Sequence, residues 1–88
     1  MSQNYPNPFN PVTNIGFSVA EAGQISLKIY DISGKEINEL ANDFYVPGVY
    51  DIKWTGVDSY GNTVSSGIYI YQLHTKDGIL SNSMILMR

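Results

Sequence analysis

Hydrophobic and polar residues alternate with a period of two along most of this chain, and no stretch carries a sustained 3.6-residue apolar stripe. In "VTNIGFSV", Thr13, Ile15, Phe17 and Val19 fall on one side and Asn14, Gly16 and Ser18 on the other, the signature of a half-buried strand. "EAG" (21–23) is a turn. "QISLKIYD" then sets Ile25, Leu27 and Ile29 against Ser26, Lys28 and Tyr30. "DISGK" predicts a tight hairpin, because Asp31 can bond the backbone that follows it and Gly34 can take positive φ. "EINELA" is ambiguous: Ile37 and Leu40 are three apart, which suits one helical turn or a strand with a bulge. The hairpin before it favours the bulged strand.

After the break at "VPG" (46–48), "VYDIKW" aligns Tyr50, Ile52 and Trp54 against Asp51 and Lys53. "DSYGN" (58–62) is a polar turn. "IYIYQLHT" is apolar on both faces at first, as in a central strand covered on both sides. Gln72 and His74 follow the Ile68/Ile70 side, so Tyr69, Tyr71 and Leu73 mark the deeper face. "KDG" (76–78) turns the chain into a last strand ending "SMILMR". Short strands with turn signals about every ten residues predict an all-β, Ig-like antiparallel β-sandwich of about seven strands. Its expected core is Ile15, Phe17, Ile25, Leu27, Ile29, Tyr50, Ile52, Trp54, Tyr69, Tyr71 and Leu73.

Composition agrees with one small globular domain. The 88 residues are 43% hydrophobic and only 15% charged, far from the disordered regime. The net charge is −3, and Lys28, Lys35, Lys53, Lys76 and Arg88 are scattered singly. Neither nucleic acid nor an anionic membrane surface is therefore an expected partner. No cysteine is present, which excludes disulfides and thiolate metal sites. No apolar run approaches the roughly 20 residues of a membrane helix, so direct membrane insertion by a helix is not expected. Met1–Gln3 carries no signal-peptide pattern and reads as a linker remnant or expression start.

Candidate chemistry is sparse. His74 is the only histidine and reads as a surface residue rather than a general base. The eight acidic residues fall mainly in turns or on outward strand positions, not paired across a cleft as glycoside hydrolysis needs. Asp58 and Asn62 are weak oxygen ligands for a surface Ca²⁺, but the loop holds one acid where a calcium loop alternates several. No cofactor and no catalytic residue is expected. Tyr30, Tyr45, Tyr60 and Trp54 would form a sugar-binding platform if they shared one exposed face, yet Trp54 runs in phase with core positions. Lys28 and Lys53 point outward, away from any internal isopeptide crosslink.

Five elements in order carry a resemblance. They are "NYPNPFNP" (4–11), Tyr-Asp-x-x-Gly (30–34) and Trp-x-Gly-x-Asp-x-x-Gly (54–61), followed by Ser-Gly-x-Tyr-x-Tyr (66–71) and the apolar end "SMILMR". Residues 4–88 together resemble the type A C-terminal sorting domains of type IX secretion cargo, which merge in sequence with the Ig-like domain of the flagellar hook-capping protein. The segment Asn38–Asp43 departs from the pattern, lacking the basic residue and longer loop the family often carries. The resemblance implies a non-catalytic module at the end of a larger secreted protein, itself often a hydrolase. That protein would pass through the periplasm to the cell surface or beyond. The implied partners are the outer-membrane type IX machinery, a sortase that cuts upstream of Asn4, and the fused cargo domain. The alternatives are an Ig-like spacer or assembly domain of the hook-capping kind, and a carbohydrate-binding accessory module.

The resemblance gives the two chain ends meaning. Pro6, Pro8 and Pro11 remove amide donors and bias Tyr5, Asn7 and Asn10 to extended geometry. Asn4 and its fellow asparagines can satisfy local backbone groups, and Phe9 would anchor this lead-in on the sandwich. A plain strand start would use the same residues. At the other end, Met84, Leu86 and Arg88 share one face and Ile85 and Met87 the other. This edge strand is expected both to complete the sheet and to be read by the export machinery through strand addition.

Overall fold

The computed structural model describes residues 12–87. They form β1 (Thr13–Val19), β2 (Gly23–Asp31), β3 (Glu36–Tyr45), β4 (Gly48–Trp54), β5 (Gly67–Thr75) and β6 (Gly78–Leu86). Every pairing is antiparallel. One sheet holds β1 and β4; the other runs in the order β3-β2-β5-β6. The chain is an all-β sandwich as expected, with six strands among the described residues rather than about seven. Between β4 and β5 the chain makes only the isolated bridge Val57↔Thr63. A turn at Asp58–Asn62 takes up the middle of that segment and leaves no run long enough to form a further strand.

The ambiguous β3 is a strand with two bulges. Leu27 opposes Ala41 and Lys28 opposes Glu39, so Leu40 is an extra residue; Ile29 opposes Asn38 and Tyr30 opposes Glu36, so Ile37 is another. Each insertion moves the alternation by one position. Ile37, Leu40 and Ala41 consequently all pack on the core, while Glu36 and Glu39 stay outside with Lys28, 3.5 and 3.8 Å from its Nζ.

The core lies between the sheets. Ile15, Phe17 and Val19 of β1 and Trp54 of β4 face Ile25, Leu27 and Ile29 of β2, Tyr69, Tyr71 and Leu73 of β5, and Met84 and Leu86 of β6. Buried aromatic rings bring polar tips that need partners. The Tyr69 hydroxyl donates to the Ser65 carbonyl at 2.7 Å and the Tyr50 hydroxyl to the Val46 carbonyl at 2.6 Å. Both reach four residues upstream, in the manner of the tyrosine corner of Ig-like folds. Trp54 Nε1 donates to the Val57 carbonyl at 2.8 Å, and its ring meets Tyr69 edge-on with centroids 5.3 Å apart. The aromatic core thus holds the loops as well as the sheets.

Two expected core residues are only half-buried. Tyr50 and Ile52 lie on β4, which pairs with β1 alone among the described strands, so their flank stays open. Tyr50 instead joins a three-ring cluster, stacked on Phe17 at 5.5 Å and edge-on to Tyr45 at 4.9 Å. Conversely Thr13, Val19, Met84 and Leu86 are buried without having been assigned to the core.

The terminal strand is therefore structural. Leu86→Ala should lower the unfolding free energy by about 2–5 kcal/mol, as buried leucine truncations do. Met87→Ala, at an exposed position, should change it by less than about 0.5 kcal/mol. Urea unfolding followed through Trp54 fluorescence checks both.

Candidate functional site

The structure gathers the candidate features at one end of the sandwich. Thr13, at the start of β1, pairs with Trp54 at the end of β4. Tyr69, in contact with Trp54, pairs with Asp31 on one side and Met84 on the other. Chain entry into β1, the exit of β6, the β2–β3 turn and the β4–β5 loop all meet here.

Two of these loops are copies of one motif. In Asp31–Lys35, Oδ1 of Asp31 accepts from the amides of Ser33 (2.9 Å) and Lys35 (3.0 Å), and the Gly34 amide donates to the Asp31 carbonyl. In Asp58–Asn62, Oδ1 of Asp58 accepts from the amides of Tyr60 and Asn62, both at 2.9 Å, and the Gly61 amide donates to the Asp58 carbonyl. Gly34 and Gly61 have φ of 89° and 86°, a left-handed conformation that disfavours any side chain. The second turn is tied to the start of β3, just beyond the first: the Ser59 amide donates to the Ile37 carbonyl at 3.0 Å, and Asn38 Nδ2 to the Val57 carbonyl. "DISGK" and "DSYGN" carry Asp and Gly at the same spacing, so this repetition was visible in the sequence as a signal left unused.

The Asp58 carboxylate is thereby engaged with its own turn. Among the described residues no three His, Cys, Asp or Glu side chains group as metal ligands would. Between the two turns and the start of β5 opens a cleft of about 570 Å³, with Ile32 and Tyr60 exposed beside it and Ile37, Val64 and Ile68 along its wall. The Ser33 hydroxyl, at 2.6 Å, and the Lys35 amide hold the Asp31 carboxyl below its usual range. At the opposite end, Lys76 and Glu21 pair at 2.6 Å, which lowers the Glu21 carboxyl and raises the Lys76 ammonium.

The four aromatics considered for a sugar platform do not share a face. Trp54 is in the core, Tyr45 packs on Phe17 and Tyr50, Tyr30 is half-buried on β2, and Tyr60 is exposed on its turn. His74 is half-buried on β5, its Nε2 3.1 Å from Gln72 Oε1. At the terminal strand, Met84 and Leu86 are buried while Ile85 and Met87 project outward at 44% and 53% exposure. The lead-in Asn4, Tyr5, Pro6, Asn7, Pro8, Phe9, Asn10 and Pro11 and the terminal Arg88 lie outside the described residues.

Against known proteins, the model of the FlgD Ig-like domain family matches residues 7–78. No curated protein sequence matches the chain. Among solved structures, dimeric latent PorU from Porphyromonas gingivalis superposes with a TM-score of 0.74 at 19% identity, covering 97% of this chain and 9% of that one. FLGD from P. aeruginosa superposes at 0.65 with 22% identity, covering 84% of this chain and 58% of FLGD. PorZ, described as an essential bacterial surface component of the type IX secretion system of Porphyromonas gingivalis, superposes at 0.64 with 25% identity, over 98% of this chain and 11% of PorZ. The chain thus spans a small part of two neighbours and just over half of the third.

The lowered Asp31 pKa has a consequence for acid stability. A carboxyl whose pKa falls on folding stabilises the native state above its unfolded value, and that contribution is lost as pH drops through the folded one. Asp31→Asn keeps an acceptor for the turn but no longer titrates. Its melting temperature should lie below wild type at neutral pH, with the gap closing in acid. Thermal unfolding across a pH series measures this.

Proposed function

The chain belongs to the family of FlgD Ig-like domains, and we propose that it acts as a non-catalytic C-terminal sorting module of a larger protein exported by type IX secretion. The observation that carries this reading is the likeness to PorZ. Nearly the whole chain superposes there on a small portion of a type IX surface component, at the highest identity among the three structures described. The architecture supports the same reading. Among the described residues no charged side chain is buried in the core, and the Asp58 and Asp31 carboxylates serve their own turns. What the module offers a partner is shape and surface.

In this reading the cargo is fused upstream of the described strands and the parent reaches the surface through the periplasm. The outer-membrane machinery recognises the end where β6 finishes. Met84 and Leu86 root that strand in the core, which leaves Ile85 and Met87 as the described side chains at that end that a receptor would read. A sortase then cuts upstream of Asn4.

The family model itself favours a second reading, an Ig-like spacer or assembly domain of the hook-capping kind. One experiment separates the two. The full chain is placed behind a signal peptide and a fluorescent reporter in a host with an intact type IX system. A sorting module delivers the reporter to the surface or medium, and a Ile85→Ser/Met87→Ser variant, altered only at exposed positions, leaves it in the periplasm. A reporter that stays periplasmic with the unaltered chain favours the spacer reading and sinks the first.

A further inference from the structure

β5 and β6 are joined by the two-residue turn Lys76-Asp77, closed by the pair Thr75↔Gly78. Asp77 and Gly78 are both exposed. Gly78 has a φ of 135°, and no heavy atom lies within 4 Å of the place a Cβ would take. Glycine lets the turn close at this φ, and it leaves the peptide nitrogen after Asp77 with no side chain to shield it. Thr75↔Gly78 is also the last pair of the β5–β6 ladder, where a sheet opens most readily.

The other aspartates are held differently. Oδ1 of Asp31 and Oδ1 of Asp58 each accept from two backbone amides of their own turns. Asp43 Oδ1 accepts from the Phe44 amide at 2.8 Å, and Asp51 sits within the β1–β4 ladder opposite Gly16. All four are followed by a residue with a side chain, as is every described asparagine. At Asp77 it is the backbone that is fixed: its amide donates to Thr75 Oγ1 at 3.1 Å, and that hydroxyl donates to the Gly78 carbonyl at 3.3 Å. The Asp77 carboxylate accepts no hydrogen bond among the described residues.

We propose that the tip of the β5–β6 hairpin is a site of spontaneous covalent modification, at which Asp77 converts to isoaspartate. The Gly78 nitrogen bonds to the Asp77 side-chain carbon Cγ. The amide proton and the carboxyl OH leave together as water, and a five-membered succinimide remains. Water then adds to one of the two ring carbonyls. Opening at Cγ restores aspartate. Opening at the main-chain carbon routes the chain through the side chain and leaves the old main-chain carbon as a free carboxylate. No atom is gained or lost overall. The connection becomes one carbon longer, and the negative charge moves relative to Lys76, which pairs with Glu21 at 2.6 Å. Leu73, Met84 and Leu86 keep both strands rooted in the core, so the change stays at the hairpin tip.

The test follows each aspartate in the full, folded chain. The protein is kept at neutral pH and physiological temperature for several weeks and digested with chymotrypsin. Its peptides are then resolved by liquid chromatography and electron-transfer fragmentation. Isoaspartate should accumulate at residue 77 several-fold faster than at Asp31, Asp43, Asp51 or Asp58, with no change in mass. D77E, altered at an exposed position, cannot form isoaspartate there and should lose the signal while circular dichroism and thermal unfolding match the unaltered chain. A free peptide of residues 73–81, incubated alongside, gives the conversion of the same bond without the fold, and the folded chain should convert at a comparable rate. A folded chain whose residue 77 stays aspartate overturns the proposal. So does isoaspartate arising at Asp31 or Asp58 as fast as at residue 77, or a signal that persists in D77E.

Discussion

A two-stranded sheet has to cover the inner face of a four-stranded one, and Trp54 is the side chain that lets it do so. Its indole reaches from the short sheet to Tyr69 on the long one and fastens the following loop through Val57. Tyr69 in turn fastens the chain ahead of β5 through Ser65. The β4–β5 loop, which carries one wall of the cleft, is thereby held at both ends by core aromatics. Removing either ring would loosen that wall along with the packing.

Two Asp-capped turns, the cleft between them, the start of β1 and the end of β6 converge at that end of the molecule. The turns are rigid because each Asp accepts from two amides and each Gly adopts positive φ. Their charges face solvent as parts of the scaffold.

The edges complete the picture. β3 bends and bristles with acids, while β6 is straight and neutral. Met84 and Leu86 make β6 a full member of the core, so the strand is too firmly packed to peel away. Its outward side chains Ile79, Ile85 and Met87 are exposed. The expectation that the terminal strand completes the sheet is met by its packing: Met84 and Leu86 are buried, while Ile85 and Met87 face out.

Period-two alternation determined the strands, their inward faces and the turn types, because side-chain direction in a strand and φ at Gly34 and Gly61 are local matters. It also marked Trp54 as core and Ile37 and Leu40 as the signature of a bulged strand. Which strands become neighbours was decided only by the tertiary structure. β1 pairs with β4 in the two-stranded sheet, not with β2 beside it in sequence, and that placement leaves Tyr50 and Ile52 half-buried although their phase matches Trp54. It also brings the Asp31 and Asp58 turns together across 27 residues of chain spacing (58 − 31). Alternation states which way a side chain points; what covers it depends on a partner strand far away in the chain, and pairing of that kind leaves no local trace.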